Sequence, residues 1–151
     1  MDRLSIAVQQ DAYVHGAARA SIKLPGLGQL MIGDTTSGVL FIAGSVAIHV
    51  GALLGSYVLL PADLKLDQLL YLDTSKAAIE AAWKAHTPRE LLPAVGVALA
   101  GAMADGVLRA VAARHASRVA KQQVDSRAVE FEPQLLVHGG GLQLRLPMPH
   151  G

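Results

Sequence analysis

The 151-residue chain has no cysteine, 4% aromatic residues and 17% charged residues. Each shortage excludes something. Without Cys there are no disulfide frameworks, Cys-based zinc sites, iron–sulfur clusters or thiol catalysis. Thirteen Lys and Arg against 12 Asp and Glu leave a net charge of +1, which speaks against the concentrated basic surface of a general nucleic-acid binder. Average proteins carry about 25% charged residues. With so little charge and 52% hydrophobic residues, the chain is too apolar for an ordinary soluble domain and too apolar to be disordered throughout. What it has in surplus is 25 Ala and 15 Gly, residues that let helices pack closely but fill a soluble core poorly. A membrane protein is therefore the first expectation.

The longest feature is a stretch from Thr35 to Ala62 without Asp, Glu, Lys or Arg, and inside it residues 38–60 (GVLFIAGSVAIHVGALLGSYVLL) form a 23-residue apolar run. About 20 helical residues cross a hydrocarbon core about 30 Å thick, so this run predicts a first span. A second span needs more construction. The uncharged run 91–104 has only 14 residues, but continuing through Asp105 and Arg109 to Val111 gives 21. Asp105 and Arg109 stand at i and i+4, on one helical face where they can pair. An isolated Asp in mid-membrane costs about 2.5–3.5 kcal/mol, and a snorkelling Arg partner near the span's end lowers that cost.

Small residues recur every four positions in both spans: Ala43, Ala47, Gly51 and Gly55 in the first, Ala94, Ala98, Ala102, Gly106 and Ala110 in the second. Each series predicts a shallow helix face along which two backbones approach closely, with Ala43, Ala47, Gly51, Gly55, Ala98, Ala102 and Gly106 as the packing residues. Six basic residues flank the spans on the terminal sides (Arg19, Lys23, Arg109, Arg114, Arg118, Lys121), against four in the connection (Lys65, Lys76, Lys84, Arg89). That asymmetry predicts both termini in the cytoplasm. No cleavable signal peptide is read at the N-terminus, where MDRLSIAVQQD lacks a long apolar core.

Outside the spans the chain divides further. Residues 1–34 form a cytoplasmic N-terminal segment with an interfacial helix over residues 6–22, stopped by Pro25. Residues 61–90 form an external loop in which Asp73 or Thr74 caps a short helix and Pro88 stops it, with Ile79 and Trp83 as its apolar stripe. Residues 112–124 extend the second helix with a basic stripe of Arg114, Arg118 and Lys121 that suits lipid phosphates. Residues 125–151 change to two-residue alternation. A turn on Gly139 and Gly140 sets Val137 opposite Leu142, Leu135 opposite Leu144, Pro133 opposite Leu146 and Phe131 opposite Met148. This predicts a C-terminal β-hairpin whose apolar face (Phe131, Leu135, Val137, Leu142, Leu144, Leu146) docks on a partner, since an isolated hairpin is only marginally stable.

The string Pro25-Gly26-Leu27-Gly28-Gln29 precedes Gly33 and then Gly38 at the mouth of the first span. Its glycines permit unusual backbone angles, and Gln29 can hydrogen-bond backbone groups where a bent chain enters lipid. No strand precedes it and the third glycine of a dinucleotide motif is missing. The string resembles the entry motif of small bacterial two-span membrane proteins related to the two-transmembrane-domain family. In these the second span closes on an Asp-containing element before a basic segment, to which Ala104-Asp105-Gly106-Val107-Leu108-Arg109-Ala110 is similar. The likeness covers roughly residues 20 to 120; it departs where Leu30-Met31 replace an aromatic after the Gln and in the 30-residue loop. It implies a helical hairpin without known catalytic residues, in the bacterial inner membrane.

The chemistry is sparse. His49, at the centre of the first span, is the one candidate cofactor ligand, and intramembrane polar groups are functional candidates by default. With no second His in the other span it does not complete a haem or metal site, and no metal or other cofactor is expected. The remaining His residues (15, 86, 115, 138 and 150) show no ligand spacing, and no catalytic arrangement stands out. The expected fold is mostly α: a membrane helical hairpin with flanking amphipathic helices and a C-terminal β-hairpin. The expected function is a non-catalytic accessory or scaffold subunit of a larger membrane complex. Its partners are the lipid bilayer and other membrane subunits, with no nucleic acid, and homo-oligomerisation stays open. The alternative is a cofactor- or proton-handling subunit using His49 and Asp105.

Overall fold

The computed structural model describes residues 2–65 and 75–131. Helix α1 runs Asp2–Lys23, α2 Leu27–Met31, α3 Thr35–Leu59, α4 Lys76–Ala85 and α5 Pro88–Asp125, with a 3-10 turn at Ala62–Leu64. The residues divide into two compact units, one of residues 1–42 with 109–151 and one of residues 43–108.

The first unit is built at the Pro-Gly-Leu-Gly-Gln string. Pro25 is fully buried just past the end of α1. Gly26 takes a left-handed φ of 93°, and a Cβ there would also lie 2.9 Å from Ile42 Cγ1. At Gly28 a Cβ would collide with the Ala17 carbonyl oxygen and Ser21 Oγ, so only glycine lets α2 approach α1 so closely. Asp34 then caps α3: its Oδ1 accepts from Ser37 N at 3.2 Å. The last turns of α5 pack antiparallel to α1, for Ala17, Ile32, Ala116 and Ala120 form one buried cluster flanked by Tyr13, Val14 and Val119. Ala112, Ala116 and Ala120 recur every four residues and are 0% exposed.

The second unit pairs residues of α3 and α5 antiparallel. Gly44 lies against Leu108, Ala52 against Gly101, and a Cβ at Gly55 would stand 3.0 Å from Val97 Cγ1. The face used is not the one expected from the four-residue series. Ala43, Ala47, Gly51, Ala98, Ala102 and Gly106 are exposed, and a Cβ at Gly51 or Gly106 would meet open space. Of the expected packing residues Gly55 is at the contact; the others yield to Gly44, Ala52 and Gly101. In Ala-rich helices several faces carry small residues, so spacing alone does not choose among them.

The connection also differs from expectation. Ser75, whose Oγ accepts from Ala78 N at 3.3 Å, caps α4, while Asp73 and Thr74 lie outside the described residues. Pro88 starts α5 instead of merely stopping what precedes it. Thr87 N donates to Glu90 Oε2 at 3.2 Å, half of a capping box with proline at the first helical position. The expected span 91–111 and its expected extension 112–124 are thus one helix of 38 residues that begins three residues earlier, at Pro88.

The expected fold class is corrected at the C-terminus: among the described residues there is no β-strand, and the architecture is helical. Past α5 the chain turns through Arg127 at φ 56°, and Phe131 meets Tyr13 edge-on with ring centroids 5.9 Å apart. The rest of the expected hairpin, including Leu135, Val137, Leu142, Leu144 and Leu146, lies outside the described residues. Alternation is a local signal, whereas a stable ribbon needs further strands to pair with, and the described residues supply none.

Candidate functional site

Two polar clusters interrupt the apolar helices. The first lies in the unit of residues 43–108. Asp105 and Ser45 are both buried, 6% exposed each, and Ser45 Oγ donates to Asp105 Oδ1 at 2.7 Å. One turn along α3, His49 Nδ1 stands 2.8 Å from the Ser45 carbonyl oxygen and 3.8 Å from Asp105 Oδ1. A carbonyl oxygen only accepts, so Nδ1 carries a proton and donates it. The His49 side chain is itself 62% exposed. The trio is not built for nucleophilic attack, because the serine hydroxyl is held by the carboxylate and the imidazole by a backbone carbonyl. It is a proton-bearing group beside a buried carboxylate, capable of holding or exchanging a proton. Among the described residues no group of three or more His, Asp or Glu could hold a metal ion.

The second cluster lies within the unit of residues 1–42 and 109–151, where it joins α2 and the last turns of α5 to α1. Gln29 is fully buried, its Oε1 accepting from Ser21 Oγ at 2.9 Å and its Nε2 donating to the Ala112 carbonyl at 2.8 Å. Ser21 Oγ also accepts from Gly28 N at 3.1 Å. Tyr13 donates to Gln123 Oε1 at 2.7 Å, and Gln123 Nε2 donates to the Ile32 carbonyl at 2.9 Å. Every polar atom so placed is satisfied within the fold, which makes this a structural network. Arg109 donates to the carbonyls of Ile22, at 3.0 Å, and Lys23, groups at the end of α1 that have no helical partner. Asp105 and Arg109, expected as an intramembrane pair, are thus placed on Ser45 and on the Ile22 and Lys23 carbonyls respectively.

A third cluster, on the connection, was not singled out in the sequence. His86 Nε2 lies 2.7 Å from Asp63 Oδ2 and its Nδ1 3.0 Å from Glu90 Oε2. Two carboxylates on both ring nitrogens favour the doubly protonated imidazolium. The hydrogen bond to Asp63, then that to Glu90, raises the His86 pKa, and the bond from His86 lowers those of both carboxylates. The i, i+4 spacing of His86 and Glu90 was visible; Asp63, 23 positions upstream, was not.

Among the described residues α3 and α5 are the two helices long and apolar enough to cross a membrane. Their outward faces carry Leu40, Leu53, Val58, Leu99, Met103 and Val107, each at least 60% exposed. In comparison with protein-family models, curated proteins and solved structures, the chain matches none of them.

Proposed function

We propose that this chain is a non-catalytic integral membrane protein that crosses the bilayer twice, through α3 and α5. In this reading it is an accessory or scaffold subunit of a larger complex in a bacterial inner membrane, with both termini cytoplasmic. The observation that carries the reading is the outward apolar face of both long helices. Seven large side chains at 60% exposure or more, Leu92 with the six named above, far exceed what a soluble monomer leaves in water, and hydrocarbon is the solvent that accepts them. The 25 residues of α3 span about 37 Å at about 1.5 Å per residue, enough for the core with some tilt. The exposed Ala43, Ala47, Gly51, Ala98, Ala102 and Gly106 leave room for another helix to approach, from a partner subunit or a second copy. The resemblance of the Pro-Gly-Leu-Gly-Gln string to two-span bacterial proteins agrees with this topology.

Two measurements test it. The chain should stay in the membrane fraction after carbonate extraction, and its release would defeat the two-span reading. Mild-detergent purification should recover it with other subunits, and recovery only as a monomer would defeat the accessory role. A second reading, proton handling, draws on the Ser45, His49 and Asp105 cluster. His49→Leu separates the two: unchanged turnover in an intact complex sinks the second reading, and loss of turnover with the complex intact sinks the first.

A further inference from the structure

The outward face of α5 changes character along its length. Met103, Val107 and Val111 are exposed at steps of four residues, and the same face continues through Arg114, Arg118 and Lys121 at steps of three, four and three. These cations stand opposite the buried Ala112, Ala116 and Ala120. Among the described residues none of the three makes an ion pair or hydrogen bond, whereas Arg109, one turn before Arg114, is turned onto the end of α1. Three exposed, uncommitted cations on one face, directly continuing an apolar face, need a counter-charge from outside the chain.

We infer that Arg114, Arg118 and Lys121 form a docking stripe for the anionic headgroups of the bilayer that α5 crosses. The inference rests on the two-span reading and adds the lipid class. Distance along the helix supports it. At about 1.5 Å per residue, Arg114 stands about 4.5 Å past Val111, Arg118 about 10 Å and Lys121 about 15 Å. The first lies in the headgroup layer, and the others reach back toward it on long side chains. The first acidic residue on this face is Asp125, about 21 Å past Val111, beyond the screening length of about 8–10 Å that limits repulsion by an anionic surface. The charge order along the face thus matches a negative plane at the end of the span and falls off with distance from it. A phosphate-bearing lipid supplies the acceptor oxygens that guanidinium groups bind bidentately.

The test uses the full chain reconstituted in phosphatidylcholine bilayers doped with spin-labelled phosphatidylglycerol or phosphatidylcholine, comparing their relative association with the protein. The expected result is a preference for the anionic lipid of about fivefold or more, falling to near one in R114Q/R118Q/K121Q. It should be kept in the charge-conserving R114K/R118K/K121R and in K76Q/K84Q, and reduced at high salt. Equal preference in wild type and the triple Gln variant overturns the inference, as does no preference in wild type. A preference lost equally in K76Q/K84Q also overturns it, since the charge would then act without regard to position. A motionally restricted lipid population of either kind, without anionic preference, leaves the two-span reading standing while overturning the stripe. Its complete absence overturns the two-span reading instead.

Discussion

The two units use the same small residues in opposite ways. In the unit of residues 1–42 and 109–151, alanines point inward: Ala17 at 2% exposure and Ala112, Ala116 and Ala120 at 0% make the core. In the unit of residues 43–108 most of the regular small-residue series points outward, Gly55 and the buried Ala94 excepted, and contact is made by Gly44, Ala52, Gly55 and Gly101. The first unit is held by glycine-permitted close approach and a filled hydrogen-bond network around Gln29. The second has a buried polar bond, Ser45 to Asp105, between mostly apolar helices. Small residues therefore do not by themselves say which way a helix faces. In the first unit the buried polar bonds would be costly to leave unmade, so they fix the packing. In the second, packing between helices whose other faces are apolar is decided chiefly by fit, with the Ser45–Asp105 bond beside it.

The comparison breaks first at Gly28. A methyl there would press on the Ala17 carbonyl, which belongs to rigid helical backbone, so Gly28→Ala should lose about 3 kcal/mol in denaturant unfolding. An unchanged midpoint would show that α2 does not lean on α1 as described. Gln29→Leu comes next: it strands Ser21's hydroxyl and removes the bond to Ala112, for about 1–3 kcal/mol by the same measurement.

In the other unit the expected contrast lies between two glycines. Gly101→Ala would drive a methyl into Ala52 and should cost about 1–3 kcal/mol, while Gly51→Ala, facing open space, should stay within about 0.5 kcal/mol. Equal effects would mean that the helices meet on the expected series after all. Ser45→Ala should cost about 0.6 kcal/mol, the mean for a hydrogen bond between apolar membrane helices. A loss as large as that of Gln29→Leu would erase the distinction between the units.

The smallest effect belongs to the connection. His86 is raised above its ordinary 6.5, so its contribution is present below that pH and lost as pH rises through the raised value. Asp63 and Glu90 are lowered from 3.8 and 4.5, so theirs is present above those values and lost as pH falls through the lowered ones. The stabilising window thus lies between pH 4.5 and 6.5. Proteolysis of the connection should be slowest there, and His86→Gln should flatten the profile. A flat profile in wild type would show the cluster to be unoccupied in solution.

Much of the helical content was legible. The charge-free run marked α3, and Pro25 marked the end of α1, because helix breakers and apolar length act locally. The start of α5 was missed, since Pro88 reads equally as a stop and as a first helical residue until Thr87 and Glu90 are seen closing on each other. The C-terminal alternation was read as a hairpin, but a strand depends on a partner that local sequence does not contain. Asp105 was legible as the one carboxylate in the apolar stretch of residues 91–111; its partner Ser45, 60 positions away, was not.

The sequence by itself determined two apolar helices of membrane-crossing length, a glycine-punctuated junction before the first, and basic residues after the second, because hydropathy and backbone permissiveness are properties of single residues and short runs. Tertiary structure decided which small residues touch, that Gln29 bridges to Ala112 across 83 positions, and that Ser45 and His49 meet Asp105. Those choices depend on the register between distant segments, which rests on shape and on pairing buried polar groups such as Gln29 and Asp105 at the same time.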